Sequence, residues 1–307
     1  MRSSLAKTAL MLLALAAASA NAVAAEPKVI EPKGPWTVDF ADESCAIQRA
    51  FGSAPNLYRL EMRQYQPDGA TEVMVSGPFR GRASNFQYAF LPDASLREMG
   101  PPELGKAGNG DAVIRFTTAS IRTVEGTADY YKQANNADGK KGAERLPIWT
   151  QAERKARASE VHGLTIHGLF SPDITLQTGD MASVMGVMDK CLDQLVAGWK
   201  LDPAAQRSLS RRPTLQEHDL GRKGWSALED VMKRTKSGRT RVLFMIDAAG
   251  GIESCRLLGP AQGSDEAAKL CEVLGSQMSF QPAISADGAP AASYFLDEIS
   301  IGVVSPR

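Results

Sequence analysis

The alternation of residue types between positions 58 and 75 constrains the fold most strongly. A turn at residues 66–69 separates two segments in which every second residue can be buried in a core. In the segment before the turn, the residues between these positions are charged. The core-facing positions are Tyr58, Leu60, Met62, Thr71, Val73 and Val75. Because the side chains of a strand point alternately to its two faces, this pattern predicts an antiparallel hairpin with one buried and one polar face.

The N-terminus has the three parts of an export signal. Arg2 and Lys7 give it a positive start, residues 10–20 are apolar, and small residues lead up to Ala25. The apolar run is shorter than the ~20 residues that a transmembrane helix needs, and the order of the parts is typical of a signal peptide. We therefore expect residues 1–25 to be removed on export to the periplasm, with an uncleaved anchor as the alternative.

The charge balance argues against a nucleic-acid partner. The chain has 35 basic and 35 acidic residues, and the loss of Arg2 and Lys7 leaves 33 basic against 35 acidic ones. Proteins that bind nucleic acid usually carry a strongly basic face. The remaining chain contains no second long apolar segment, so we expect the mature protein to lack a transmembrane anchor.

All four cysteines, Cys45, Cys191, Cys255 and Cys271, lie after the expected cleavage point. An even number of cysteines in an exported chain favours disulfides, and four cysteines allow three connectivities. The sequence has neither a C-x-x-C pair nor the spacing of zinc ligands, so we expect structural disulfides rather than redox work or a metal site.

Residues 26–205 are predicted to form a β-rich domain that contains one packed helix. Further strands are expected at residues 36–40, 85–91, 112–118, 164–170 and 174–177. Between Met181 and Trp199 apolar residues recur at three- and four-residue steps, which is typical of a helix with one buried face, and Asp180 is its expected N-cap. Cys191 lies in that apolar stripe, which makes Cys45 its expected partner.

Two polar segments interrupt these patterns. Residues 124–159 are predicted to be a solvated insertion, although their basic side chains also fit a surface for an anionic partner. The basic residues there are Lys140, Lys141, Arg145, Arg154, Lys155 and Arg157. Residues 206–237 are predicted to be a linker that includes a short helix at residues 225–232.

Residues 238–307 are predicted to form a small domain with the order strand, strand, helix, strand. Val242, Phe244 and Ile246 alternate in the first strand, and a turn at residues 247–251 leads to the second. Ser264 is the expected N-cap of the helix, and the closing strand begins at Ser293. The expected fold class is therefore α+β.

Three motifs in this domain occur in a recognisable order. V-L-F-M-I-D-A-A-G-G-I begins at Val242, F-x-P-A begins at Phe280, and D-G-x-P begins at Asp287. On these motifs, residues 238–303 resemble the C-terminal domain of TonB-type energy transducers. The resemblance implies a β-β-α-β layout, a link to TonB-type envelope transport, and a protein partner such as an outer-membrane receptor or another periplasmic protein. Binding would occur by strand addition at an exposed sheet edge.

The closing strand is the edge that the resemblance implies. Its partner-binding residues would be Ser293, Tyr294, Phe295, Leu296, Ile299 and Ile301. Asp297 and Glu298 are expected to protect this edge from aggregation. Cys255 and Cys271 resemble the paired cysteines of a TonB-like subgroup, so the resemblance also implies a disulfide between them. Because the chain lacks the anchor and the proline-rich spacer of TonB itself, energy transduction does not follow.

The sequence contains no recognisable catalytic constellation. His162 and His167 are five residues apart on an expected strand, so they would point to opposite faces. We found no nucleophile motif, phosphate-binding loop or metal-binding helix motif, and we expect no cofactor, no metal and no enzymatic activity. The alternatives to a protein-binding module are a structural envelope protein, or an enzyme or small-ligand binder in the N-terminal domain.

Overall fold

The computed structural model shows a mixed α+β protein in which strands hold more residues than helices. It describes residues 26–67, 69–79, 86–92, 97–98, 102–108, 110–118, 151–218, 221–235 and 239–300. The predicted signal peptide at residues 1–25 lies outside the described residues. None of the helices in the described part of the chain has the length and apolar character needed to cross a membrane.

Eighteen strands and five helices fall within the described residues. The strands are β1 (Lys28–Ile30), β2 (Pro32–Phe40), β3 (Cys45–Ser53), β4 (Asn56–Gln64), β5 (Thr71–Ser76), β6 (Gln87–Leu91), β7 (Arg97–Glu98), β8 (Glu103–Lys106), β9 (Ala112–Thr118), β10 (Gly163–His167), β11 (Ile174–Leu176), β12 (Thr214–His218), β13 (Arg239–Ile246), β14 (Ile252–Leu258), β15 (Met278–Gln281), β16 (Ala283–Ile284), β17 (Pro290–Ala291) and β18 (Ser293–Ser300). The helices are α1 (Gln151–Glu160), α2 (Ala182–Gly198), α3 (Pro203–Arg207), α4 (Gly221–Thr235) and α5 (Asp265–Gln277).

The N-terminal part contains two larger sheets. A six-stranded antiparallel sheet has the order β2-β3-β4-β5-β9-β8, and a five-stranded mixed sheet has the order β1-β11-β10-β6-β7. The predicted hairpin forms β4 and β5, with Leu60 opposite Val75 and Met62 opposite Val73. Those four side chains are fully buried, as the alternation predicts.

Helix α2 packs against the six-stranded sheet. Its apolar stripe includes Met188, Leu192 and Val196, which are buried in the same core as residues of both N-terminal sheets. The helix starts one residue later than the expected cap implies, because Met181 holds the N-cap position. The Asp180 carboxylate still accepts a hydrogen bond from the Ala182 N–H at 2.8 Å.

The C-terminal part is built on a three-stranded antiparallel sheet with the order β14-β13-β18. Helices α4 and α5 cover one face of this sheet, where Leu228 and Leu270 pack against Val242, Phe244 and Phe295. Ser264 caps α5 by accepting a hydrogen bond from the Ala267 N–H at 3.1 Å, as the sequence predicts.

The segment expected to be a linker, residues 206–237, is instead part of the C-terminal fold. Strand β12 pairs with β15, which places Leu215 opposite Phe280. Helix α4 extends over fifteen residues and buries Leu228 and Val231 against the sheet. Pro203 and Pro213 interrupt the local pattern, which is why the sequence predicts a linker here. The strand that pairs with β12 lies more than sixty residues further along the chain, so a local pattern cannot reveal the pairing.

The N-terminal and C-terminal parts share one core. The face of the three-stranded sheet opposite α4 and α5 packs on the N-terminal part, so Leu243, Leu258, Tyr294 and Leu296 belong to the same buried cluster as α2. The Trp199 and Tyr294 rings meet edge to face, with centroids 4.7 Å apart. The C-terminal sheet is therefore covered on both faces rather than forming a separate, freely jointed module.

Candidate partner-binding surfaces

Strand β18, the predicted binding edge, lies at one side of the three-stranded sheet. It pairs with β13 along its whole length, from Ser293 opposite Ile246 to Ser300 opposite Arg239. Within the described residues no second strand pairs with β18. The strand is therefore an edge of the sheet, which is the position that strand addition requires.

The first half of β18 is buried. The relative exposures of Ser293, Tyr294, Phe295 and Leu296 lie between 0% and 7%. Tyr294 and Leu296 point into the core shared with the N-terminal part, whereas Phe295 packs under the helices, 4.9 Å from the Phe280 ring. Four of the six predicted binding residues therefore hold the layers of the protein together, and their side chains are not presented to a partner.

Side chains from the 206–212 segment lie over this buried half. The Gln206 amide donates to the Ala292 carbonyl at 2.9 Å and accepts from the Ser293 hydroxyl at 2.6 Å. The Arg212 guanidinium donates to the Tyr294 hydroxyl at 3.2 Å and lies 5.7 Å from the centre of that ring. The supposed linker thus covers the beginning of the predicted edge.

The second half of β18 is more open. Asp297 is exposed, and Glu298 and Ile299 are half-buried, whereas Ile301 lies outside the described residues. A crevice of about 210 Å³ separates this end from the turn after β4, with Tyr65 and Gln66 on its opposite wall. The Asp297 carboxylate accepts from the Glu298 N–H at 2.8 Å, so one backbone donor of the open edge already has an acceptor within the strand.

Glu298 is expected from the sequence to be an exposed acid that protects the edge from aggregation. In the structure it belongs instead to a closed ring of six side chains with alternating charges. The ring members in order are Glu72, Arg115, Glu103, Arg239, Glu298 and Arg241. Glu72 lies 2.7 Å from Arg241 and 3.4 Å from Arg115, and Glu298 lies 2.7 Å from Arg241 and 3.0 Å from Arg239. This ring connects strands β5, β8 and β9 of the N-terminal sheet to β13 and β18.

The ring perturbs the ionisation of its members and neighbours. Burial acts to lower the pKa of Arg115, but its hydrogen bond to Glu103 and the charge of Glu72 outweigh burial and raise that pKa. Burial and the nearby Glu72 carboxylate raise the pKa of Tyr65. The Arg241 guanidinium lies over the Tyr65 ring, 3.8 Å from its centre, in a cation–π contact.

Strand β14 forms the other edge of the sheet, which the sequence did not single out. Among the described strands it pairs only with β13. Glu253, Ser254 and Arg256 are exposed along it. The alternation of apolar and polar residues could not show whether β14 or β18 is the more exposed edge. That exposure depends on which neighbouring segments cover each strand.

The four cysteines form two disulfides. Cys45 of β3 is bonded to Cys191 of α2, and Cys255 of β14 is bonded to Cys271 of α5. These are the expected pairs. The first bond joins the six-stranded sheet to its helix across 146 positions of sequence, and the second joins strand and helix across 16 positions.

The histidines and the basic insertion do not form a site in the described part of the chain. His167 is hydrogen-bonded to the Asp173 carboxylate at 2.7 Å, and His162 lies 3.3 Å from the Glu160 carbonyl. No group of three potential metal ligands occurs among the described residues. In the basic insertion, Arg154 pairs with Asp189 of α2, whereas Lys140, Lys141 and Arg145 lie outside the described residues.

The outer face of the six-stranded sheet, opposite its α2-covered side, carries three rows of residues that face each other across neighbouring strands. The first row is Lys33, Ala50, Arg59, Ser76, Val113 and Gly105. The second row is Thr37, Gln48, Glu61, Met74, Arg115 and Glu103. The third row is Asp39, Ala46, Arg63, Glu72 and Thr117.

The first two rows line a concave trough of about 830 Å³. The third row lies towards the C-terminal sheet, where Glu72 meets Arg241. The trough is within the size range of small-molecule sites, and sequence reasoning missed it. Its only sequence signal is the polar alternate face of the predicted strands, which is also the signal of an ordinary solvated face.

Comparison with known proteins identifies no relative, because no family model, characterised protein or solved structure matches this chain. The resemblance of residues 238–303 to the TonB C-terminal domain therefore stays a prediction. Any functional assignment must be argued from the surfaces described above.

Proposed function

We propose that this protein is an exported envelope protein that binds a protein partner by strand addition at the open end of β18. The observation that carries the proposal is the position of β18, which pairs only with β13 among the described strands. The two disulfides agree with an oxidising compartment such as the periplasm. The β-β-α-β layout implied by the TonB resemblance supports the same mode of binding.

The covered half of β18 limits how a partner can dock. Gln206 and Arg212 bind the side chains of Ser293 and Tyr294, and Gln206 also binds the Ala292 carbonyl, so a peptide that pairs with the start of β18 would lie against both residues. Docking therefore begins at Asp297, beside the crevice formed with Tyr65. Main-chain hydrogen bonds would supply affinity there, and the crevice would accept a side chain of the added strand.

Site-specific photo-crosslinking tests this proposal in the full mature chain. A photoreactive residue is placed at position 297 on the open end of β18, at position 254 on the other edge, or at position 269 on the exposed side of α5. A truncation before residue 239 is unsuitable, because it would expose Trp199 and other residues of the shared core.

We expect position 297 to capture one defined envelope protein that positions 254 and 269 do not capture. Capture at position 254 alone would place binding on β14 and contradict the proposal. Identical capture at all three positions, or at none, would contradict strand addition altogether.

A further inference from the structure

The acidic side chains of the trough form ion pairs, whereas its basic side chains are only partly neutralised. Its two acids already have partners: Glu61 pairs with Arg63 at 2.7 Å, and Glu103 binds both Arg115 and Arg239. By contrast, Lys33 is exposed and forms no ion pair with any residue that the structure describes. The trough therefore presents a positive charge that no described carboxylate neutralises.

One arginine adds to this excess. Arg59 lies 3.6 Å from Asp111, but their side chains are 55% and 44% exposed, so this pair screens the charge weakly. Arg49 does not add to it, because its guanidinium extends to the α2-covered face of the sheet, where it donates to the carbonyls of Gly34 at 2.9 Å and Thr178 at 3.0 Å.

Apolar groups lie beside these cations. Ala50, Met74 and Val113 occupy the two rows that line the trough, and each is half-buried. A cationic rim and an apolar floor in one concavity favour a ligand that is both anionic and apolar.

We propose that the trough binds a single-chain anionic amphiphile, with its head group near Lys33 and Arg59 and its chain over Met74 and Val113. This site is distinct from the β18 edge and does not depend on the function proposed above. A fatty-acid carboxylate and a lipid phosphate share the required chemistry, and the experiment separates them.

Isothermal titration calorimetry on the full mature, oxidised chain tests the proposal. Dodecanoate and dodecyl phosphate are the anionic probes, each used below its micelle concentration. Dodecyltrimethylammonium has the same chain with a positive head, and hexanoate has the same head as dodecanoate with a short chain. The variants are Lys33→Glu combined with Arg59→Glu, Met74→Gln, and the control Lys269→Glu on the exposed surface of α5.

We expect saturable binding of at least one anionic probe, with the tighter of the two identifying the head-group class. The cationic probe and hexanoate should bind far more weakly. The double charge variant should lower the affinity about tenfold, since two exposed charge contacts together are worth about 1.4 kcal/mol. Met74→Gln should lower it less, and Lys269→Glu should leave it unchanged. Because Lys33, Arg59 and Lys269 are exposed, both charge variants should retain the wild-type thermal midpoint.

Three results would overturn the proposal. Equal binding of the cationic probe would show unspecific adsorption to apolar surface. An equal loss of affinity in Lys269→Glu would show a general charge effect. Binding of poly-glutamate at low salt, with neither anionic amphiphile bound, would assign the trough to an acidic polypeptide instead. None of these outcomes bears on crosslinking at position 297, so the two proposals fail separately.

Discussion

The third and first rows on the outer face of the six-stranded sheet differ in the groups that contact their charged side chains. The third row is the covered end of this face, and the first row is its open end. At the third row, Glu72 is buried under the C-terminal sheet, and the ring of Arg115, Arg239 and Arg241 compensates the acids. At the first row, Lys33 and Arg59 face the open trough. One alternating strand pattern thus produces an interface at one end and a candidate ligand surface at the other.

The difference teaches that a polar strand face is not necessarily a solvated one. Burying ions is costly, and the ring offsets this cost by giving every charge two partners of opposite sign. Its net charge is zero, so the C-terminal sheet can dock there without leaving an unpaired ion. In the trough, Lys33 has no such partner among the described residues, so its charge is available to a ligand.

The largest expected contrast comes from truncating one leucine at each end. Leu296→Ala removes a side chain that is only 7% exposed in the shared core, and we expect it to lower the free energy of unfolding by about 3 kcal/mol. Leu104→Ala, at a 57% exposed position on the edge strand β8 beside the trough, should change it by less than about 0.5 kcal/mol. Urea denaturation under oxidising conditions measures both. Equal losses would show that the two ends are buried alike.

A smaller contrast comes from neutralising one acid at each end. Glu72→Gln leaves Arg115 and Arg241 without the carboxylate they share, so we expect a loss of about 2 kcal/mol. Glu61→Gln removes a single pair, with Arg63, that lies outside the ring, and it should cost about 1 kcal/mol. The same denaturation experiment compares them. A loss for Glu61→Gln as large as that for Glu72→Gln would remove the distinction between the covered and open rows.

The smallest expected effect is a decrease in the free energy of unfolding at alkaline pH, caused by Tyr65 beside Glu72. Burial and the Glu72 charge raise the pKa of Tyr65, so the folded state holds this proton more tightly than the unfolded state does. The resulting stability is fully present below the unfolded tyrosine pKa of about 10 and is lost as pH rises through the raised folded pKa. Unfolding free energies measured from pH 8 to about 11 should therefore fall less steeply in Tyr65→Phe than in the wild type. Parallel curves would contradict this placement of Tyr65.

The sequence could predict elements whose signal is local. The β4–β5 hairpin follows from alternation with a turn, α2 follows from its three- and four-residue steps, and the Ser264 cap follows from the residue type that precedes α5. The burial of Cys191 follows from its place in the apolar stripe of α2. These features depend on residues within about one turn or one hairpin of each other.

Part of the candidate edge could also be anticipated. The sequence located the closing strand at Ser293, and the structure places β18 there at the edge of its sheet. It could not show that Gln206 and Arg212 cover the first half of that strand. Their contacts join positions more than eighty residues apart, and no local pattern records them.

The sequence by itself therefore determined the period of elements with a strong local signal, such as β4, β5 and α2, the faces of those elements that must be buried, and an even set of cysteines suited to disulfides. Only the tertiary structure decided which polar face is covered and which stays open. The physical reason is that alternation fixes the direction of a side chain relative to its own strand, whereas burial depends on what packs against that face. Glu61 and Glu72 lie on the same face of adjacent strands, yet only Glu72 meets the C-terminal sheet.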